Sequence, residues 1–244
     1  MKNFISALGF LTLIPIPRNA FREDGRQIAC FPWVGLLLGL MLAGVDKLCS
    51  LFMYPELRAI VDILFMAAIT GALHLDGLAD TADGVFAHRS RERALEIMKD
   101  PRIGVMGTLA IIFCLLLKIA GIYGLQGDSY AIWLITAPVY ARTGQVAGLI
   151  FLNYARQDQG KSQLFFQKGK YALLLPAILP LLLPFYTGIL PGITVLMLFL
   201  LTTGALLVFF QRKLGGMTGD TLGALTEITE MLILIIGGVV CMDQ

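Results

Sequence analysis

Apolar positions along this chain gather into long runs, and polar ones are confined between them. The runs lie at roughly 28–48, 56–75, 103–125, 130–151, 171–188, 190–210 and 221–240. Each approaches the roughly 20 residues an α-helix needs to cross the hydrocarbon core of a bilayer. The pattern predicts an all-α fold: a polytopic integral membrane helix bundle with about seven transmembrane helices, residues 1–244 forming a single membrane-embedded domain. The fifth run carries Pro176, Pro180 and Pro184, which predicts a kinked span, tolerable where neighbours satisfy the freed carbonyls. The opening MKNFISALGFLTLIPIP joins a lysine to an apolar stretch closed by Pro15 and Pro17. It lacks the small-residue cleavage site of a signal peptide. Residues 4–16 are too few to span, so a short interfacial or re-entrant helix is expected there.

Composition sharpens the class. Hydrophobic residues are 57% of the 244, and charged residues 15%, against roughly 25% in an average soluble domain. Mean hydropathy is +0.78. A net charge of +2, with no basic stripe interleaved with aromatics, excludes nucleic acid as a partner. Cys30, Cys49, Cys114 and Cys241 are scattered singly, which suggests buried thiols rather than a disulfide framework or zinc site.

The basic residues orient the bundle. They concentrate before the first run (Lys2, Arg18, Arg22, Arg26), in 76–102 (Arg89, Arg91, Arg93, Lys99, Arg102), in 152–170 (Arg156, Lys161, Lys168, Lys170) and in 211–220 (Arg212, Lys213). The intervening links are poor in them, with only Lys47 and Arg58 near the first. With seven spans every rich segment falls on one side, which the positive-inside rule makes cytoplasmic. The N-terminus is then inside and the C-terminus outside.

On that face lies HLDGLADTADG, residues 74–84, with Asp76, Asp80 and Asp83 at i, i+4 and i+7. At about 100° per residue these share one helix face. Like charges there repel, and a hard divalent cation such as Mg²⁺ is the economical compensation. A solvated helix end, where aspartate serves as a cap, accounts for one of the three. A second acidic set follows GGMTG: Asp220, then Glu227 and Glu230 inside an apolar run. Acids so placed face a bundle interior or a wet cavity. Asp83, Asp220 and Glu227 are the candidate catalytic groups. Asp76, Asp80, Asp83, Asp220, Glu227 and Glu230 are the candidate metal ligands, the last three as a second metal site or, alternatively, the general base. Lys99 and Arg102, in MKDPRIGVMG, are candidates for phosphate contacts. So is Arg142, an intramembrane guanidinium that either clamps phosphate or pairs with Glu227 or Glu230. His74 is a candidate substrate contact or a hydrogen-bonded histidine. His88 is read as solvated.

HLDGLADTADG, LEIMKDPRIGVMG and GGMTGDTLGALTEITE, with LTLIPIP and CFPWVGLLLG near the start, resemble the cobalamin synthase family (adenosylcobinamide-GDP ribazoletransferase, cobalamin 5′-phosphate synthase). The likeness runs in order over nearly the whole chain. The family is similar in kind to the CDP-alcohol phosphotransferases, whose motif is D-x2-D-G-x2-A-R then G-x3-D-x3-D. Here DTADGVFA, residues 80–87, fits the first half, His88 stands where that motif has arginine, and the second half is missing. The resemblance implies a Mg²⁺-dependent phosphoryl transfer. A hydroxyl of α-ribazole or its 5′-phosphate attacks adenosylcobinamide-GDP, GMP leaves, and adenosylcobalamin or its 5′-phosphate forms. It places the enzyme in the bacterial inner membrane with its site facing the cytoplasm, and admits other cobalamin-assembly enzymes or a second copy as partners. The rival from another class is an ion-coupled secondary transporter that uses the intramembrane acids.

Overall fold

A computed structural model describes residues 1–242 except 22–24, 88, 126, 128–129, 157–162, 164, 167–168 and 179. Arg22, His88, Lys161 and Lys168 therefore lie outside the described residues. Helix α1 (Lys2–Leu11) is the short N-terminal helix expected there. After two 3₁₀ turns come α2 (Phe31–Cys49), α3 (Pro55–Thr70), α4 (Leu73–Phe86) and α5 (Arg91–Ile97). Then follow α6 (Val105–Tyr123), α7 (Tyr130–Phe151), α8 (Ile189–Leu214) and α9 (Gly219–Met242). The described residues contain no named strand, only an isolated bridge between Tyr154 and Met217.

Among the described residues, fewer helices than the expected seven have the length and hydropathy of a membrane span. By length and composition, four helices among the described residues can cross a membrane: α2 with its leading 3₁₀ turn, α6, α8 and α9. The number is up to five if α3 and α4 together make one broken span. The run 56–75 is broken because α3 ends at Gly71 (φ +63°), where the Gly71 amide donates to Ala68 O and the Ala72 amide to Ala67 O. That is the Schellman pattern, which needs a left-handed residue. Ala72 follows, itself at φ 54°, and α4 leaves at 90° to α3. The run 171–188 is two 3₁₀ stretches, Tyr171–Ala177 and Pro180–Thr187. Prolines spaced by four deny successive turns the amide an α-helix requires.

Helix α7 is long enough to span but too polar to count as apolar. Its place in the bundle explains why. Every residue from Thr136 to Ile150 is buried, so α7 faces helices on all sides, chiefly α2 and α9. Gly35 and Gly39 of α2 permit the approach: a Cβ on either would lie 2.5–2.6 Å from α7 backbone atoms. Small residues spaced by four are the usual means of close helix packing in bilayers. Helix α8 is the opposite case, with Met197, Leu200, Leu201 and Val208 exposed, as suits a lipid-facing helix. All four cysteines are free, and Cys49, Cys114 and Cys241 are buried.

Candidate functional site

The site begins with the way α9 starts. Gly215, in the left-handed region (φ +73°), ends α8. The next residues pair with the strand-like stub after α7: the Met217 amide donates to Asn153 O (2.9 Å) and the Ala155 amide to Met217 O (2.8 Å). Thr218 then caps α9 by a reciprocal exchange. The Thr221 amide donates to Thr218 Oγ1 (3.2 Å), and the Thr218 amide to Thr221 Oγ1 (2.8 Å). This is a capping box with threonine where glutamate is usual. Asp220 sits in the first turn of α9, where a carboxylate suits the helix dipole. The paired stub brings Arg156 over it, Nη2 to Oδ2 at 2.6 Å.

Helix α4 crosses α9 at two glycines. A Cβ on Gly77 would lie 2.7 Å from Asp220 O, and one on Gly223 3.0 Å from His74 O. This contact joins acidic sets more than 130 residues apart in sequence. Helix α4 is helical through all three aspartates, and they are its less buried positions among buried Gly77, Leu78, Ala79, Thr81 and Ala82. Asp80 lies within electrostatic reach of Asp76, Asp220, Asp83 and Arg156.

Asp83 turns away to another task. The amides of Gly104 and Gly107 donate to its two carboxylate oxygens at 2.6 and 2.8 Å. It thereby satisfies free amides at the start of α6. A Cβ on either glycine would lie 2.5 Å from Asp83 oxygens. Asp83, a candidate for catalysis and metal binding alongside Asp220, does not lie on the cavity that Asp220 lines.

That cavity is about 400 Å³. His74, Asp76, Gln145, Arg156 and Asp220 supply its polar wall, and Phe10, Phe31, Leu149 and Phe165 much of the rest. Arg156 also borders an outer pocket of about 310 Å³ with Arg91, Glu92, Glu96 and Lys99. Lys99 is linked to the acidic cluster only through Arg156, which lines both pockets. Arg91 is occupied in holding the elements together, donating to Leu214 O (2.6 Å) and Ala155 O (2.8 Å). Arg102 is not brought to the site. It forks onto Asp100 through Nε (2.9 Å) and Nη2 (2.6 Å) with its own side chain 86% exposed. That contact holds the Asp100 carboxyl down to about 2.

Glu227 and Glu230 belong to a separate, buried network. Lys118 Nζ reaches Glu227 Oε2 (2.6 Å) and Glu230 Oε2 (2.8 Å), and Arg142 pairs with Glu230 Oε1. All four side chains are almost wholly buried. Of the two expected partners for Arg142 the structure selects Glu230. Glu227 does not line the wall below Asp220. It borders a cavity of about 20 Å³, together with Lys118, Arg142, Glu230 and His74, which is room for about one water. His74 lies on both cavities, its Nε2 3.1 Å from Gln145 Nε2.

Among the described residues, no group of three His, Cys, Asp or Glu side chains is preassembled to hold a metal ion. Sequence reasoning overlooked three contributors. Lys118 had a signal, being the one charged residue in the apolar stretch of α6. Arg156 had been counted only as a loop charge. Gln145 carried no signal, because only the fold shows that it faces His74.

The family model described as cobalamin-5-phosphate synthase matches residues 3–238. The chain is 40% identical over 246 residues to an adenosylcobinamide-GDP ribazoletransferase of Alkaliphilus metalliredigens, covering 98% of this chain and 97% of that one. It is 38% identical over 239 residues to the protein of that name in Geotalea daltonii, covering 96% of each. It is 37% identical over 246 residues to the one in Escherichia coli K12, covering 96% of this chain and 98% of that one. No solved structure matches the chain.

Proposed function

The chain belongs to the cobalamin-5-phosphate synthase family, and on that premise we propose that it joins α-ribazole, or its 5′-phosphate, to adenosylcobinamide-GDP with release of GMP. It is a transferase of cobalamin biosynthesis carried on apolar helices. The proposed substrates are those named for its relatives. One observation carries the reading: carboxylates of α4 and α9 meet beside Arg156 at a cavity that also borders a pocket holding Lys99. Phosphoryl transfer needs cations on phosphate oxygens and an acceptor for the hydroxyl proton.

In the proposed reaction a ribazole hydroxyl oxygen forms a bond to the cobinamide-side phosphorus, and the bond from that phosphorus to the GMP oxygen breaks. Asp76 and Asp220, the carboxylates lining the cavity, are the candidates to accept the hydroxyl proton. Arg156 and Lys99, which line one outer pocket, are the candidates to hold the diphosphate. Drawn together, Asp76, Asp80 and Asp220 would offer an all-oxygen donor set whose charge Arg156 balances only in part, which suits Mg²⁺ better than a soft metal. When bound there, Mg²⁺ supplies charge neutralisation on the phosphate oxygens. For Asp220 to join such a set, Arg156 exchanges the carboxylate for a phosphate.

The proposed orientation puts this end of the bundle in the cytoplasm. Arg91 ties α5 to Leu214 and Ala155, so the basic segments around 91–102, 156 and 212–213 gather at one end, as the positive-inside rule favours. The test is GMP release by purified protein in lipid nanodiscs. Release that requires adenosylcobinamide-GDP, ribazole and Mg²⁺ together is expected. Release independent of ribazole would overturn the assignment.

A further inference from the structure

We propose that the cavity beside Asp76 and Asp220 is the subsite for the acceptor nucleoside, its flat and weakly polar base seated among Phe10, Phe31 and Phe165 and a ribose hydroxyl taken by Gln145. The proposal rests on the transfer reaction above and says which substrate this cavity holds.

Three rings from separate parts of the chain converge here. Phe10 of α1 stacks with Phe31 at the start of α2 (centroids 5.8 Å apart, 16° between planes) and lies 4.2 Å from Phe165. Phe31 and Phe165 are buried. Aromatic faces accept a planar base without demanding hydrogen bonds from it.

A second, independent observation is polar. Gln145 is 4% exposed and lines this cavity. Its amide nitrogen meets His74 Nε2, while its oxygen Oε1 has no hydrogen-bond partner among the described residues. A buried acceptor left unpaired costs about 1–3 kcal/mol, and a ligand hydroxyl would remove that cost. The ring stack and the unpaired acceptor line one cavity with the carboxylates proposed to receive the hydroxyl proton.

Size and polarity choose among the reactants. The cavity, about 400 Å³, is in the range that encloses a small organic ligand. A corrin with its amide arms is several times larger than a benzimidazole nucleoside and does not enter. Guanine carries several donors and acceptors on its edges. Against a wall of phenylalanine and leucine most of these would be desolvated without partners, which is unfavourable.

The test separates the two substrates in steady-state kinetics of the full chain in nanodiscs. It is joined to calorimetric titration of ribazole into the protein alone. Leu73 lines the cavity yet is 50% exposed, so Leu73→Trp fills the subsite without entering the core. Phe165→Ala removes a ring. Each is expected to raise KM for ribazole, and weaken its titrated binding, by about tenfold or more. KM for adenosylcobinamide-GDP should stay within about twofold, since that substrate meets this cavity only through its diphosphate at Arg156. Unchanged ribazole binding in Leu73→Trp, or a rise in KM for adenosylcobinamide-GDP instead, overturns the subsite while ribazole-dependent GMP release leaves the reaction intact. Absence of that release from the unmodified protein overturns the reaction. In that event the calorimetric titration alone decides the subsite, ribazole binding weakened by Leu73→Trp upholding it and no binding rejecting it.

Discussion

Asp220 and Glu227 stand seven positions apart on α9, in surroundings of opposite kind. Around Asp220, the carboxylates of Asp76 and Asp80 approach, and the Arg156 guanidinium lies within electrostatic reach of Asp80 and Asp220. Around Glu227, Lys118 and Arg142 answer Glu227 and Glu230 charge for charge, out of water. The first group holds surplus negative charge beside an open cavity, which favours a cation and admits a phosphate only where a cation bridges the two. The second is electrically closed. A buried pair of this kind contributes little net stability over an apolar packing, yet breaking it by removing one partner is strongly destabilising. Acidic side chains on one helix thus divide into a group suited to chemistry and a group that holds α6, α7 and α9 together.

The largest expected effect tests the first group. Asp80→Asn and Asp220→Asn should each lower GMP release by about a hundredfold to a thousandfold, the scale of losing an electrostatic contact to a transition state. The melting temperature in detergent should change little. Near-normal turnover in both variants would erase the distinction between the groups. Next comes Lys118→Met, which leaves two buried carboxylates facing Arg142 alone. It should cost about 3–5 kcal/mol, read as loss of folded protein and a lowered melting temperature. The double variant Lys118→Met with Glu227→Gln should recover part of that loss. A Lys118→Met protein of normal stability but altered Mg²⁺ requirement would move the deep network into the chemistry.

Arg156→Gln sharpens the boundary from the other side. With its guanidinium gone, KM for adenosylcobinamide-GDP should rise by about tenfold, the loss of one charge-assisted contact of about 1.5 kcal/mol. A fall in KM would show that Arg156 only blocks Asp220. The smallest effect is expected for Asp83→Ala. Loss of a carboxylate that caps a helix costs about 1–2 kcal/mol, measurable by chemical or thermal unfolding. The Mg²⁺ concentration for half-maximal activity should not move. A shift in that concentration would return Asp83 to the metal-binding set.

Much of this was legible in residue order, and the failures are instructive. Asp76, Asp80 and Asp83 do share a helix, because the i, i+4, i+7 spacing is a property of the helix alone. That Asp83 caps α6 was not legible, since it depends on Gly104 and Gly107, 21 and 24 residues further on, folding back onto α4. Arg142 drew notice because an intramembrane guanidinium must have a partner. Lys118 carried the same signal and completes the network. Hydropathy marked 130–151 as a span, whereas the fold shows a helix so enclosed that it need not be apolar.

By itself the sequence determined the class of the molecule, most of its helices, the family and the residue types available for phosphate chemistry. These follow from local composition, from short-range periodicity and from motifs that survive in linear order. Only the tertiary structure decided which acids stand together, where the chain breaks within 56–75, and that Arg156 rather than Arg102 covers the acidic cluster. The reason is physical. A charge's role is set by what lies within a few ångströms of it and by whether water reaches it. In this bundle those neighbours are fixed by glycine crossings, Gly77 with Asp220 and Gly223 with His74, that join segments far apart in the chain.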